Sequence, residues 1–476
     1  MTGMFQTAQA GSSTASAVGH ENWEPRIVAL ICNWCTYAGA DMAGTTRRAY
    51  PASVRAIRVP CTGRIDPLLI VKSFEQGADG VLISGCHPGD CHYVQGNLVA
   101  RRRFTAFRAL MEFLGLDPRR LHFAWVSASE GMKWSSLVQD VTTAVRQVGP
   151  LEDWGKLSDA RRAAISLPPL PAAPREVPSA EAQQAAARHL QSLAAKLLGE
   201  GQASVVIGYT PGPLPDQMVP AFITRAEDAA KLGWNERCYN DLATFLPEAK
   251  RKWPKVAVAL KRCDGRAAIG LLQEHQLERD KIVQIGVSCP GVWQDGRLAA
   301  KCYACDGEAG SASDFTVAAD GVHEGALASG TKRAVAADPR DARIAHLEAL
   351  PAADRWAFWQ GQFDRCIRCY ACRAVCPLCY CGVCVADKNQ PQWVPNTIDA
   401  KGNLTWNITR AFHLVGRCSS CDECARVCPV DINLELINHR MAREVETRFG
   451  YRSGEDPSAS PPLATFRQDD PQEFIR

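Results

Sequence analysis

The chain has 476 residues, 21 of them cysteine, with Lys+Arg 54 against Asp+Glu 51 and a formal net charge of +3. At roughly 150 residues per domain the length suggests about three domains, and the cysteine content lies below the roughly 8–10% of a short secreted disulfide scaffold. The near-balanced charge leaves no bulk footprint for nucleic acid, and no stretch approaches the ~20 apolar residues of a membrane span. Met1 to His20 is an Ala/Ser/Thr/Gly-rich tail without an apolar secretory core. With clustered cysteines in odd number, it predicts a cytoplasmic protein whose thiols bind metal or do redox chemistry.

Cysteine position divides the chain. The expected boundaries are a disordered tail over 1–24, a first domain over 25–150, a Pro/Ala-rich linker over 151–195, a middle domain over 196–340, a cysteine-organised helical domain over 341–450 and a carboxy-terminal tail over 451–476. Ser166 to Ser179 carries five prolines and reads as a semi-rigid linker, and Gly307 to Ala337 is a second loose stretch.

In the first domain, apolar runs at Arg26 to Cys32, Val54 to Val59, Gly80 to Ser84 and His122 to Val126 alternate with helical stretches. That pattern predicts a parallel α/β sheet with helices on both faces. Cys32, Cys61 and Cys86 fall just after strands, with Cys35 and Cys91 a few residues on, at the edge where such sheets carry their chemistry. Cys32 and Cys35 also have the spacing of a redox dithiol, but three more cysteines on that edge favour a metal centre. His87 and His92 are tuning groups, Rieske-type ligands or ordinary backbone-bonded histidines. Arg101-Arg102-Arg103, with Phe104, Phe107 and Phe113 behind it, reads as a helix whose phenylalanines are core and whose arginines form a solvated or partner-docking face.

Three segments, Cys32-Asn33-Trp34-Cys35, Val59-Pro60-Cys61-x-Gly63-Arg64 and Gly85-Cys86-His87-x-Gly89-Asp90-Cys91-His92-Tyr93, are followed by Gly96-Asn97. Over about residues 25 to 148 they resemble the delta subunit of the methyl-viologen-reducing hydrogenase, the iron-sulfur link between hydrogenase and heterodisulfide reductase. The resemblance implies one 2Fe-2S cluster on four of Cys32, Cys35, Cys61, Cys86 and Cys91.

In the middle domain, strands are expected at Ala203 to Ile207, Val256 to Leu260 and Ile282 to Val287. They precede Lys261-Arg262-Cys263-Asp264, Cys289-Pro290-Gly291 and Cys302-x2-Cys305. Four thiolates placed after successive strands suit one cluster, although a structural zinc fits the same spacing. Together with Trp234-Asn235, Cys238, Asn240, Arg266-Ala267 and Lys301, these segments resemble the beta subunit family of deazaflavin-coenzyme hydrogenases and dehydrogenases, which includes formate dehydrogenase beta subunits. The resemblance implies a 4Fe-4S cluster on Cys263, Cys289, Cys302 and Cys305, with Cys238 in reserve, beside an FAD. Gly208, Gly212, Lys261 and Arg266 are the candidates to approach its pyrophosphate. No G-x-G-x-x-G stands at a strand-to-helix turn, so ordinary turn glycines and surface cations are the other reading.

In the third domain, Cys366-x2-Cys369-x2-Cys372-x3-Cys376-Pro377 repeats as Cys418-x2-Cys421-x2-Cys424-x3-Cys428-Pro429. This spacing wraps three thiolates around one cubane and sends the fourth to its neighbour. It assigns Cys366, Cys369, Cys372 and Cys428 to one 4Fe-4S cluster, and Cys418, Cys421, Cys424 and Cys376 to the other. Zinc requires neither the third C-x2-C step nor the following proline. The eight residues look like a two-cluster bacterial ferredoxin with an insertion, Leu378 to Arg417. Cys379, Cys381 and Cys384 in that insertion complete a further site, substitute for Cys376, or are small buried hydrophobes.

Three 4Fe-4S clusters and one 2Fe-2S cluster account for sixteen of the 21 cysteines. No P-loop and no Ser/His/Asp set is visible. The expectation is an α/β multidomain electron-transfer subunit of an oxidoreductase complex. It would relay electrons between a catalytic subunit (formate dehydrogenase, hydrogenase or heterodisulfide-reductase-like flavoprotein) and a soluble carrier, with no nucleic acid and no direct membrane span. The alternative is a flavin-dependent reductase of a small acceptor, fed by its own clusters.

Overall fold

The computed structural model describes residues 23–151, 154–155, 165–177, 179–294, 296–305, 307, 312–326 and 335–476. Most of the expected amino-terminal tail, and parts of the linker and of the second loose stretch, lie outside these residues.

The first domain runs β1 (Ile27–Cys32), α1 (Thr36–Thr45), β2 (Val54–Val59), α2 (Pro67–Glu75), β3 (Gly80–Gly85), α3 (Gly96–Leu114), β4 (Leu121–Trp125) and α4 (Gly131–Val148). Its sheet has the order β2-β1-β3-β4, every pair parallel. Alternation along β1 sends Ile27, Ala29 and Ile31 towards Trp134, Leu137 and Val141 of α4, and Leu30 towards the α2 and α3 side. Cys32 stands opposite Val59, and Ile31 opposite Ser84. Three strand ends are thereby level, and the loops carrying Cys35, Cys61 and Cys86 leave from one edge.

His122 on β4 is buried and its Nε2 lies 2.7 Å from the Arg119 carbonyl. Burial, helped by the charge of Arg476, pushes its imidazole down to about 4. An unfolded histidine titrates near about 6.5, so the unfolded chain takes up this proton first as the pH falls. The resulting stability is complete above about pH 6.5 and declines from there towards about pH 4. The expected result is that His122→Gln flattens the fall in denaturant midpoint between about pH 7.5 and about pH 5.5, measured against the parent chain.

The middle domain comprises α5 (Ala180–Gly199), β5 (Val205–Pro211), β6 (Met218–Ile223), α6 (Leu246–Lys252), β7 (Val256–Leu260), α7 (Arg262–Gln273), β8 (Ile282–Val287), β9 (Trp293–Gln294), β10 (Arg297–Leu298), β11 (Phe315–Ala318) and β12 (Gly321–Glu324). Its six-stranded mixed sheet has the order β12-β11-β8-β7-β5-β6, parallel in the centre and closed by an antiparallel hairpin at each edge.

Residues 180–195, expected to be linker, form most of α5. Prolines end before Ser179, which caps the helix through Ala182 N. Ala186, Leu190, Leu193, Ala194 and Leu197 then repeat at helical spacing and face the middle core. The proline segment is pinned as well: Tyr303 donates to the Pro171 carbonyl at 2.8 Å and Arg343 to that of Pro168 at 2.9 Å.

The third domain is helical: α8 (Pro339–Glu348), α9 (Ala352–Asp364), α10 (Ala371–Ala374), α11 (Ala400–His413), α12 (Glu423–Arg426) and α13 (Leu434–Phe449). It shares its core with the first domain. Trp356, Trp359 and Phe363 of α9, Ile408 and Phe412 of α11, and Met441, Val445 and Phe449 of α13 join Phe104, Phe107 and Phe113 of α3. Gly115 ends α3 at φ 102°, where a Cβ would lie 2.2 Å from the Ala352 carbonyl, so α9 can begin against the end of α3.

Residues 451–476, expected to be a tail, are instead a strap across α3 to the free edge of β4. Ile475 makes a parallel bridge to Phe123, and Arg476 N donates to the Phe123 carbonyl at 3.1 Å. The arginine triplet is correspondingly neither solvated nor a docking face. Arg102 is 3% exposed and paired with Asp470 at 2.6 Å, while Arg101 is 1% exposed and donates to the Arg467 carbonyl. Arg103 donates to the Leu463 carbonyl at 2.8 Å and to that of Gly63 at 3.0 Å.

Candidate metal centres

The edge of the first sheet gathers Cys32, Cys61, Cys86 and Cys91, all buried, with half-buried Cys35 against them. Cys32 Sγ lies 3.6 Å from Cys86 Sγ. That hydrogen bond draws the Cys32 thiol down to about 6 and pushes Cys86 up, and burial lifts Cys61 to about 11. Cys35 lies near Cys86, Cys32 and Cys91, and Cys61 near Cys91 and Cys32, so the five thiols form one group. Gly96 opens α3 directly beneath them: a Cβ there would come 2.4 Å from Cys61 Sγ and 3.5 Å from Cys91 Sγ. Asn97 donates to the Cys86 and His87 carbonyls at 2.9 and 2.8 Å and fixes that loop. Neither histidine turns into the group. His87 pairs with Glu130 at 2.7 Å, and His92 stacks on Trp34 with centroids 3.7 Å apart.

In the middle domain, Cys263, Cys289, Cys302 and Cys305 line one cavity of about 510 Å³. Cys263 is the second residue of α7, and burial pushes its thiol well up. The β9–β10 ribbon packs around Cys302 through Trp293 and Leu298. Backbone N–H groups point at sulfur, from Val292 to Cys302 at 3.3 Å and from Gly307 to Cys305 at 3.4 Å. Burial pushes the Cys289 thiol up to about 12. Cys238 is buried against Tyr209 and Trp234 and does not line the cavity.

Of the residues considered for a pyrophosphate, Lys261 and Arg266 line this cavity, and Gly208 and Gly212 lie in the β5–β6 hairpin away from it. Lys261 is 1% exposed, and its ammonium is held by Tyr209 Oη, the Asn240 carbonyl and Asp264, each at 2.7 Å. Arg266 donates to the Ser453 and Ser419 carbonyls. The other basic lining residues are Arg175, Arg262, Lys301, Arg340, Arg443 and Arg452. Arg175 reaches in from the proline segment and donates to the Cys302 and Cys305 carbonyls.

In the third domain the two motifs fold alike. Arg368, Tyr370, Ser420 and Asp422 all take left-handed φ between 49° and 58°, two in each motif, and each motif ends in one short helix, α10 or α12. Left-handed residues at these steps curl successive N–H groups inwards, an anion-binding curvature suited to cluster sulfur. Cys376, Cys418, Cys421 and Cys424 line one small cavity, so the fourth cysteine of the first motif stands with three of the second. Cys366 has Cys428 among its neighbours. Ser420 N, Ile432 N and Asn438 Nδ2 donate to the sulfurs of Cys418, Cys428 and Cys424 at 3.3, 3.4 and 3.4 Å.

The insertion cysteines do not converge. Cys379 rests against the Cys376 thiol, Cys384 packs near Cys366 and Tyr370, and Cys381 is exposed. Among the described residues no group of three or more His, Cys, Asp or Glu closes round a point that one ion would fill.

Two cations stand between the centres: Lys301 belongs to the Cys302 segment without a role assigned to it there, and Arg410 lies outside every motif. Arg410 of α11 is buried and donates to the Cys372 carbonyl at 2.8 Å. Burial opposes its charge, but Cys372, Cys424, Cys379 and Cys376 outweigh that and raise its affinity for the proton. Lys301, next to Cys302, donates to the Cys421 carbonyl at 2.6 Å. Cys418 also lines the middle cavity. On the other flank, Gly63, two residues after Cys61, and Gly416, two before Cys418, line a cleft of about 490 Å³.

Comparison with known proteins gives two matches to families: the methyl-viologen-reducing hydrogenase delta subunit over residues 27–149, and a 4Fe-4S dicluster domain over residues 362–432. The iron-sulfur subunit of the F420-non-reducing hydrogenase of Archaeoglobus profundus is 48% identical over 132 residues, 28% of this chain and 96% of that protein. The iron-sulfur subunit of the vhc F420-non-reducing hydrogenase of Methanococcus voltae is 49% identical over 142 residues, 29% of this chain and 99% of its own length. One component of the ferredoxin:CoB-CoM heterodisulfide reductase of Methanosarcina mazei is 37% identical over 147 residues, and the match spans only 18% of that protein. Among the described residues no helix is long and apolar enough to cross a membrane.

Proposed function

We propose, for a chain that belongs through residues 27–149 to the methyl-viologen-reducing hydrogenase delta subunit family, that it is an iron-sulfur electron-transfer subunit carrying several centres in series. The observation that carries this reading is the position of the Cys376/Cys418/Cys421/Cys424 group. It adjoins the middle cavity through Cys418 and Lys301, the other ferredoxin group through Arg410, and, through Gly416, a cleft that Gly63 of the first domain also lines.

We assign 4Fe-4S clusters to Cys366, Cys369, Cys372 and Cys428, to Cys418, Cys421, Cys424 and Cys376, and to Cys263, Cys289, Cys302 and Cys305. A 2Fe-2S cluster falls to the amino-terminal group, on four of Cys32, Cys35, Cys61, Cys86 and Cys91. Bound clusters supply one-electron chemistry. The chain's own contribution is to deliver buried thiolates, aim N–H groups at sulfur, and place Arg410 and Lys301 where added negative charge is offset. The partners in this reading are a hydrogenase, formate dehydrogenase or heterodisulfide-reductase-like flavoprotein and a soluble carrier, in the cytoplasm.

Anaerobic purification with iron and sulfide analysis tests it, and about 14 iron atoms per chain are expected from three cubanes and one binuclear cluster. A content near about eight would leave only the ferredoxin pair. The roomy basic middle cavity favours a second reading, a flavin-dependent reductase in which Arg175, Arg262, Arg443 and Arg452 meet a flavin nucleotide. Stoichiometric FAD and turnover of a small acceptor by the single chain would select that reading.

A further inference from the structure

Two asparagines stand inside helices and out of water. Asn407 of α11 is 2% exposed and Asn438 of α13 is 5% exposed. Asparagine is a weak helix former, and a buried amide costs stability unless it is hydrogen-bonded. Each gives an N–H to a cysteine sulfur. Asn438 Nδ2 donates to Cys424 Sγ at 3.4 Å. The Asn407 side chain bonds the Cys366 thiol, and its Nδ2 also donates to the Asn403 carbonyl at 2.8 Å. An amide nitrogen carries two hydrogens, so both of the Asn407 bonds stand together.

Packing fixes both side chains. Ile408 and Phe412 of α11, and Ile437, Met441 and Val445 of α13, lie in the core shared with α3, so neither helix can turn its amide away without unpacking that core. Neighbours on α11 serve the same loop differently: Asn403 donates to the Cys366 carbonyl and Arg410 to the Cys372 carbonyl, each at 2.8 Å. Those bonds hold backbone and do so with or without iron. A thiol sulfur is a weak acceptor, so an amide kept against it gains little until that sulfur is a cluster-bound thiolate. The N–H groups that Ser420 and Ile432 aim at Cys418 and Cys428 belong to the backbone. Asn407 and Asn438 instead come from outside both cysteine motifs, on helices that follow them in the chain.

We propose that Asn407 and Asn438 are positioning residues that set the potentials of the two ferredoxin centres. Asn407 acts on the centre at Cys366, Cys369, Cys372 and Cys428, and Asn438 on the centre at Cys418, Cys421, Cys424 and Cys376. The inference rests on the iron-sulfur reading above and gives the insertion between the motifs a role in it, since α11 is built from that insertion. When one electron passes from a reductant to an oxidised centre, the added negative charge falls on iron and sulfur and no atom is transferred. An N–H aimed at the sulfur favours the reduced form and so raises the potential. Each amide meets one centre, so the two potentials are set separately.

The test uses the full chain purified anaerobically with its clusters, and dithionite with mediator dyes as the probe. EPR follows each centre through a potentiometric titration. Asn438→Leu is expected to lower the reduced-to-oxidised ratio of the Cys424 centre about tenfold at a fixed potential, which is about 59 mV for one electron, and to leave the Cys366 centre within about twofold. Asn407→Leu should do the reverse. Asn438→Ser and Asn407→Ser remove the same N–H with a small polar side chain and should shift the same centres in the same direction, so a leucine variant that loses iron does not end the test. Unmoved potentials in variants that keep full iron would overturn the assignment. So would equal shifts of both centres by one variant, since a general loosening of the fold would then be responsible. Iron analysis of the parent separates the premises: a parent chain without ferredoxin iron defeats the iron-sulfur reading, whereas full iron with unmoved potentials defeats only the role of the two asparagines.

Discussion

Cys376→Ser removes about four of about 14 iron atoms, and the cluster lost is the one whose other thiolates come from the second motif. The expectation follows from the cavity shared by Cys376, Cys418, Cys421 and Cys424, and from the approach of Cys366 to Cys428. A serine hydroxyl is a far weaker ligand than a thiolate, so one vacancy opens a cluster that three sulfurs hold poorly. The consequence extends beyond iron. Cys421 and Cys424 are buried, Cys424 in the core that α3 shares, and Ser420 and Asp422 are held in left-handed backbone at a cost of about 1–3 kcal/mol each. Small cluster domains draw much of their folding energy from the metal, so the segment from Cys418 to Ile432 should become protease-sensitive. Cys379→Ser is the control, because Cys379 touches Cys376 and is the nearest replacement. Iron, sulfide and the EPR spectrum of the reduced protein distinguish the two variants. Full iron in Cys376→Ser with loss in Cys379→Ser would transfer the ligand role to Cys379.

The first sheet was readable because its central strands β1 and β3 are short apolar runs buried on both faces, and the loops that follow β1, β2 and β3 put Cys32, Cys61 and Cys86 at one edge without further information. Cysteine spacing likewise anticipated that Cys376 would stand with Cys418, Cys421 and Cys424, since steric reach around a metal core is a local property. The failures have a common cause, which is that burial by a distant segment leaves no local mark. Residues 180–195 follow five prolines and looked like spacer, yet their alanines and leucines are helix formers with a core to face. Arg101 and Arg102 looked solvated because charge predicts exposure, and nothing nearby reveals that Asp470 comes to meet them. Lys261 and Arg266, named for a pyrophosphate, do line the middle cavity, and what the sequence left unseen is that their N–H groups bond Tyr209, Asn240, Ser453 and Ser419. Arg410 sits in the last turn of a helix within an insertion, and only the fold places it between two cysteine groups.

Asp470→Ala should be among the most destabilising single substitutions outside the cysteines. Arg102 donates from Nε and Nη2 to the two oxygens of Asp470 at 2.8 and 2.6 Å, both residues are nearly inaccessible, and Asp470 also accepts from Arg467 N at 2.8 Å. Removing one partner of such a pair strands a buried guanidinium, at about 3–5 kcal/mol. Replacing both with apolar residues removes the stranded charge, so Arg102→Met/Asp470→Leu should recover much of that loss. The strap then loosens as a unit. Phe474 packs against Phe104 and Phe123, with ring centroids 5.4 and 6.2 Å apart, and Ile475 holds the β4 edge, so its release uncovers apolar surface on both. Deleting residues 466–476 should therefore lower the thermal midpoint at least as much as Asp470→Ala and increase self-association in sedimentation, since an open β4 edge and exposed phenylalanines favour pairing between copies. Because α3 also carries Gly96 beneath Cys61 and Cys91, the same deletion should broaden the signal of the amino-terminal centre before it affects the ferredoxin pair. An unchanged midpoint in Asp470→Ala would mean that Arg102 reaches water or the carbonyls of Pro462 and its neighbours at little cost, and that the strap is held by its aromatic contacts alone.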